Sequence, residues 1–151
     1  MTLKQNNISL GFISVFLFAL WGAGLGIIFK PETANVETIL YQAVMPGVAE
    51  EIVYRGILPA ILLGVFWRKA DINEISWGLI ITTSMVFGVW HGINYDGRSF
   101  SFDFMSAIFP FIGSLAGGWI RFKTGSLVFP IISHGVANVS FHLVGGLVVL
   151  T

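Results

Sequence analysis

Cysteine is absent from the 151 residues of this chain. Disulfides, thiol nucleophiles and Cys-ligated metal centres are therefore excluded at the outset. Charge is also scarce: 11% of residues are Asp, Glu, Lys or Arg, against about 25% in an ordinary soluble domain. The eight basic and eight acidic residues cancel, and no basic run exists to displace counterions from a nucleic acid. The sequence has neither a G-x-S-x-G elbow nor an H-E-x-x-H helix, so two common hydrolase signatures are missing. Ser133 adjoins His134 in sequence, a poor geometry for a serine nucleophile and its base. No internal repeat and no low-complexity tract is found.

What is present is apolar surface. Hydrophobic residues make up 55% of the chain, and the mean hydropathy is +0.83. So short a chain has too few polar groups to cover a water-facing exterior, and a lipid solvent resolves the shortage. The segment Ile8 to Phe29 carries no charge. It exceeds a signal-peptide core and lacks a small-residue cleavage site, so it is read as a spanning helix, ended by Pro31. A second region, Val36 to Trp67, is too long for one straight span and contains Pro46-Gly47. A kink is expected there, or an interfacial segment from Glu37 to Met45 leading into a span. Arg68-Lys69-Ala70-Asp71 closes that region. A third span runs from Ile75 to Ile93 and is followed by a polar loop, Asn94 to Ser99. A fourth covers Phe104 to Ile120 and a fifth Leu127 to Leu150.

The expectation is an all-α, polytopic transmembrane helical bundle of about five spans. Residues 1–35 form an N-terminal anchor span and 36–151 the core. With the N-terminus inside, the inner segments hold Lys4, Arg68, Lys69, Arg121 and Lys123, and the outer ones Lys30 and Arg98. That bias favours an inside N-terminus. The aromatics (14 Phe, 5 Trp and 3 Tyr) are expected mainly against lipid or at its interfaces.

Glu50, Glu51 and Arg55 interrupt an otherwise apolar helical region. Each charge near a bilayer centre costs at least ~2.5–3.5 kcal/mol, so such groups pair or line a watered cavity. Glu51 and Arg55 are four residues apart and share a helix face, whereas Glu50 is turned about 100° away. One carboxylate is thus structural and the other free, although a purely structural network of all three is a competing reading. The three histidines, His91, His134 and His142, all fall in or near apolar spans. His134, Asn138 and His142 are spaced by four residues and lie on one face. Several imidazoles, an amide and a carboxylate on the second, third and fifth spans place the candidate site between those spans. Water is the available nucleophile. Zinc held by Glu50, His91 and His134 is the alternative, since the ligand types suit it and the local spacing does not.

Three motifs, Glu50-Glu51-Ile52-Val53-Tyr54-Arg55, Phe87-Gly88-Val89-Trp90-His91 and His134-Gly135-Val136-Ala137-Asn138, fit E-E-x-x-x-R, F-x-x-x-H and H-x-x-x-N. In this order on successive hydrophobic segments, they resemble the CPBP intramembrane proteases. That family comprises the type II CAAX prenyl endopeptidases and bacteriocin-processing enzymes and is also known as the ABI domain. The resemblance spans roughly Glu37 to Leu150. It implies an intramembrane endopeptidase that cleaves a CAAX-type prenylated or other membrane-associated peptide. It implies Glu50 as the catalytic carboxylate, His91 as its partner in activating water, and His134 and Asn138 as oxyanion donors. Glu51 and Arg55 would support the site. Members of the family are described both as metalloproteases and as metal-independent glutamate proteases; the reading favoured here requires no cofactor, with zinc as the alternative. The implied setting is a multi-pass protein of a bacterial cytoplasmic membrane, with membrane lipid and a peptide as partners. Two rivals remain. A non-catalytic membrane protein conferring bacteriocin immunity would use the same residues structurally. A proton relay or transporter would use intramembrane Glu and His as a pathway, but the repeated halves usual in transporters are missing.

Overall fold

A computed structural model describes residues 7–66 and 77–149 of the chain. Lys4, Arg68 and Lys69, three of the basic residues expected inside, lie outside the described residues, as do the expected ends of spans at Trp67, Ile75 and Leu150. The first helix, α1, spans Ile8–Phe29 and stops where Lys30 turns left-handed at φ 46°, its N–H bonded to the Gly26 carbonyl. Helix α2, Val36–Glu51, begins at Asn35, whose side chain accepts the Thr38 N–H at 2.8 Å. It continues through a π-helical turn, Ile52–Ile57, into α3, Leu58–Phe66. Then come α4 (Trp77–Gly92), strands β1 (Ile93–Tyr95) and β2 (Phe100–Phe102), α5 (Phe104–Thr124) and α6 (Val128–Val149). With α2, the π turn and α3 forming one rod, the described residues make five helical rods.

Two local features add to the sequence reading. Helix α2 runs through Pro46 and Gly47, and a departure from α geometry falls six residues on from Pro46, where the Leu58 N–H reaches back five residues to the Val53 carbonyl. The Asn94–Ser99 loop is the tip of an antiparallel hairpin pairing Ile93 with Phe102, Asn94 with Ser101 and Tyr95 with Phe100. Aromatic and β-branched residues flanking a tight turn favour this pairing. Gly97 supplies a φ of 90°, and Asp96 Oδ1 accepts the Arg98 and Ser99 N–H groups at 2.8 Å each. The molecule is otherwise an all-α bundle.

Packing follows the glycines. Helix α6 lies between α1, running parallel to it, and α2, running antiparallel. On the α1 side, Gly22 faces the backbone of Ala137 and Gly26 that of Phe141. On the α2 side, Gly135 meets the Ala43 carbonyl and Gly47 that of Ile131. A Cβ at any of these positions would collide with backbone, so the small residues set the interhelix distance. Ser14 of α1 and Ser133 of α6 share a buried hydrogen bond of 3.1 Å. Helices α4 and α5 form a second antiparallel pair, with Gly88 against Ala107 and Phe111, and Gly118 against Ile80.

Burial is inverted relative to a water-soluble protein. The buried set includes Glu51, Arg55, Thr83, Ser84, Ser114, Thr124 and Ser133, while Phe12, Phe16, Leu40, Ile61 and Trp90 are among many large apolar residues exposed. Such an exterior belongs in lipid. By length and composition, α1 and α6 are the two helices among the described residues able to cross a bilayer.

Two predictions follow from these contacts. Gly135→Ala should cost about 1–3 kcal/mol through overpacking, whereas Gly24→Ala, whose Cβ meets nothing within 4 Å, should be neutral or slightly stabilising; reversible unfolding in detergent measures both. At the start of α5, Asp103 accepts the Ser106 hydroxyl at 2.9 Å and the Met105 N–H at 2.8 Å. These bonds, with that of the Ser106 N–H, hold its carboxyl below the usual range. The cap's contribution is therefore complete above the unfolded value of about 3.9 and fades as pH falls through the lower folded value. Asp103→Ala should accelerate amide exchange at Met105 and Ser106 at pH 7 relative to the parent, and that difference should shrink in strong acid.

Candidate active site

The two adjacent carboxylates of α2 diverge, as helix geometry requires. Glu51 is 2% exposed, and its Oε2 lies 3.0 Å from Nε of the equally buried Arg55. Its other oxygen, Oε1, is 2.9 Å from Nδ1 of His134 on α6. An ionised carboxylate only accepts, so Nδ1 carries the proton in that bond. The Arg55 guanidinium lies over the Phe87 ring at 4.7 Å, within reach of a cation–π attraction. It occupies space left by Gly117, where a Cβ would sit 3.3 Å from Nη2.

Glu50 has a different environment. Its side chain keeps 29% of its surface and that of His91 30%; both border a cavity that Glu51, 2% exposed, only touches. Glu50 Oε2 is 3.7 Å from His91 Nε2 and 3.8 Å from His134 Nε2. Both gaps exceed a direct hydrogen bond and suit a bridging water. His91 Nδ1 lies 2.9 Å from the Phe87 carbonyl one turn back. That carbonyl only accepts, so the proton of a neutral ring sits on Nδ1 and the Nε2 lone pair faces Glu50. Phe87 holds the group together: its ring is 4.3 Å from His91 and 6.2 Å, edge to face, from His134.

The π-helical turn begins immediately after this acidic pair and contains Arg55. Such turns recur at functional sites because they rephase the side chains that follow. The cavity encloses about 650 Å³. Its polar wall carries Gln42, Glu50, His91, His134, Asn138 and His142, and its apolar wall includes Phe18, Trp21, Leu25, Phe29 and Phe109.

The structure thus brings Glu50, Glu51, Arg55, His91 and His134 into one cluster. Asn138 lines the same cavity, but its Nδ2 donates to Gln42 Oε1 at 3.0 Å. Gln42 escaped the sequence reading. It lies eight residues before Glu50, outside every motif, and the spacing of four between His134 and Asn138 predicts only a shared face, not the partner opposite.

The donors Glu50, His91 and His134 are of types that suit zinc, and both Nδ1 atoms contact oxygens in the manner of metal-bound imidazoles. In these side-chain positions no three His, Cys, Asp or Glu groups among the described residues converge as an ion cage, although Glu50 Oε2 lies within 3.8 Å of both Nε2 atoms. Were zinc bound, Glu50, His91 and His134 would hold it and it would activate a water.

Residues 31–140, most of the chain, match the family model described as type II CAAX prenyl endopeptidase, Rce1-like. No curated protein and no solved structure matches.

Removing one partner from the buried network strands a charge. Arg55→Met should destabilise the protein by about 3–5 kcal/mol, and Glu51→Gln added to it should restore part of the loss. Detergent unfolding of the single and double variants tests the coupling.

Proposed function

Since the chain belongs to the type II CAAX prenyl endopeptidase family, a family of membrane-embedded proteases, we propose that it hydrolyses a peptide bond with water as the nucleophile. The substrate in this reading is a CAAX-type prenylated or other membrane-associated peptide. The supporting observation is the approach of Glu50 Oε2 to two imidazole Nε2 atoms on the wall of a cavity inside an apolar bundle.

The roles follow from which atoms are already committed. A water between Glu50 Oε2 and the two Nε2 atoms gives a proton to the carboxylate as its oxygen attacks the peptide carbonyl. His91 Nε2, the basic nitrogen facing Glu50, relays that proton to the departing amine. His134 has spent Nδ1–H on Glu51, so donation from Nε2 to the oxyanion requires its imidazolium form, a positive charge that Glu51 faces. Asn138 has given one N–H to Gln42 and keeps a second for the oxyanion. Glu51 and Arg55 act as positioning residues. The rods cross the bilayer in alternation, making a multi-pass protein of a bacterial cytoplasmic membrane. Residues 1–35 serve as an anchor span whose inner face also walls the cavity, and residues 36–151 form the catalytic core.

Glu50→Gln should abolish cleavage of a farnesylated CAAX peptide while the purified protein elutes and melts like the parent. Asn138→Ala should lower the rate by about 10²–10³, the usual loss for one oxyanion donor. The assay is run with and without chelator, and full turnover by Glu50→Gln would defeat the assignment.

A further inference from the structure

The proposed chemistry occupies one part of the cavity and leaves a polar group unused elsewhere along it. His134, Asn138 and His142 form a line down one face of α6, and all three border the cavity. His142 is eight residues beyond His134, a rise of about 12 Å. Its Nδ1 is buried and has no hydrogen-bond partner, and its ring stands edge to face with Phe141 at 5.2 Å. A buried N–H without an acceptor is rarer than an unmet lone pair. The neutral ring therefore carries its proton on Nε2, the atom left to meet a cavity ligand. That ligand must be an acceptor. Among the described residues lining the cavity, Arg55 is the lone Lys or Arg; its Nε is paired with Glu51, and although its Nη1 has no partner the side chain is 5% exposed and sits beside Glu51 and Phe87 at the other part of the cavity. The cavity wall also carries the apolar side chains of Leu25 and Phe29 from α1 and Phe109 from α5, together with Tyr41 from α2 and Ser106 from α5.

We infer that His142 binds the free C-terminal carboxylate of the substrate, about three residues beyond the bond that is cut. An extended peptide advances about 3.3–3.6 Å per residue, so the ~12 Å rise between His134 and His142 accommodates three residues and a terminal carboxylate. Between the two histidines, the Asn138–Gln42 pair offers hydrogen-bonding partners to the intervening peptide groups. The arrangement measures the distance from the scissile carbonyl to the chain end, and a longer C-terminal extension would carry its carboxylate past the His142 N–H. This inference rests on the endopeptidase reading and adds the residue that recognises the end of the substrate.

The test uses the full chain in detergent and two peptides. Both carry a farnesylated cysteine followed by three residues; one ends in a free carboxylate and the other in an amide. The wild type should favour the acid by about tenfold to a hundredfold in KM, the range of a hydrogen bond to a charged group. His142→Ala should bring the acid-to-amide KM ratio close to one, and His142→Gln, which keeps an N–H donor, should restore much of the preference. An unaltered ratio in His142→Ala overturns the assignment. Equilibrium binding of both peptides to Glu50→Gln protein, with and without His142→Ala, separates this inference from its premise. Loss of acid preference in binding upholds the anchor even where no cleavage is seen, and absence of cleavage by the wild type counts against the hydrolytic reading alone. Equal affinity of Glu50→Gln protein for acid and amide overturns the anchor.

Discussion

The structure turns on the buried contact that joins Arg55, Glu51 and His134. Bringing two full charges into a bundle with an apolar exterior costs several kcal/mol per ion, and the cost is bearable only where every member finds its partner. Here Glu51 divides its oxygens between Arg55 Nε and His134 Nδ1. The guanidinium lies on the Phe87 ring and in the hollow at Gly117. The network ties the α2 rod to α6 and fixes the orientation of one imidazole. It engages both Glu51 oxygens, whereas the neighbouring Glu50, 29% exposed, has its nearest imidazole contact at 3.7 Å.

That network needs short distances between helices, and α6 supplies them with three consecutive residues. Ser133 bonds to Ser14 on α1, Gly135 abuts the Ala43 carbonyl of α2, and His134 between them turns to the carboxylates. Steps of about 100° per residue send the three in different directions. A side chain at 135 would push α2 away and lengthen the 2.9 Å bond between His134 and Glu51. The geometry of the carboxylate–imidazole cluster and backbone packing are thus one constraint on this stretch.

Much of this was legible in the sequence, where a charge in an apolar run is conspicuous. The uncharged segment Ile8 to Phe29 coincides with α1, and the spacing of Glu51 and Arg55 anticipates their ion pair. Other features were hidden because they depend on what lies opposite. Pro46, inside α2, draws the eye to its own position, yet the rod departs from α geometry in Ile52-Val53-Tyr54-Arg55-Gly56-Ile57, which contains no proline. The hairpin was masked by the polar residues of its own tip: Asn94 to Ser99 reads as loop, yet Asn94 and Tyr95 already pair with Ser101 and Phe100. Gln42 is an ordinary polar residue in a helix until Asn138 is placed across from it. Hydropathy and helical spacing report which residues share an element, whereas partners on different elements require the packed bundle.

The division of the cavity into two walls bears on how hydrolysis can proceed in a membrane. A buried water needs two to four polar contacts to be stable. Beside the cavity those contacts come from α2, α4 and α6, through Gln42, Glu50, His91, His134, Asn138 and His142. Helix α1 and the adjacent stretch of α5 contribute mainly aromatic and aliphatic surface: Phe18, Trp21, Leu25, Phe29 and Phe109. Water is accordingly favoured chiefly along this strip, α5 adding Ser106 and Ser114 as polar groups. An amphipathic substrate would lie with its peptide backbone on that strip and its apolar portion against the aromatic wall, so the bond nearest Glu50 is the one exposed to the nucleophile. Helix α1 carries none of the motif residues, yet by closing the apolar side of the cavity it governs where water can stand. Its close glycine contacts with α6 hold that wall at a fixed distance from the imidazoles.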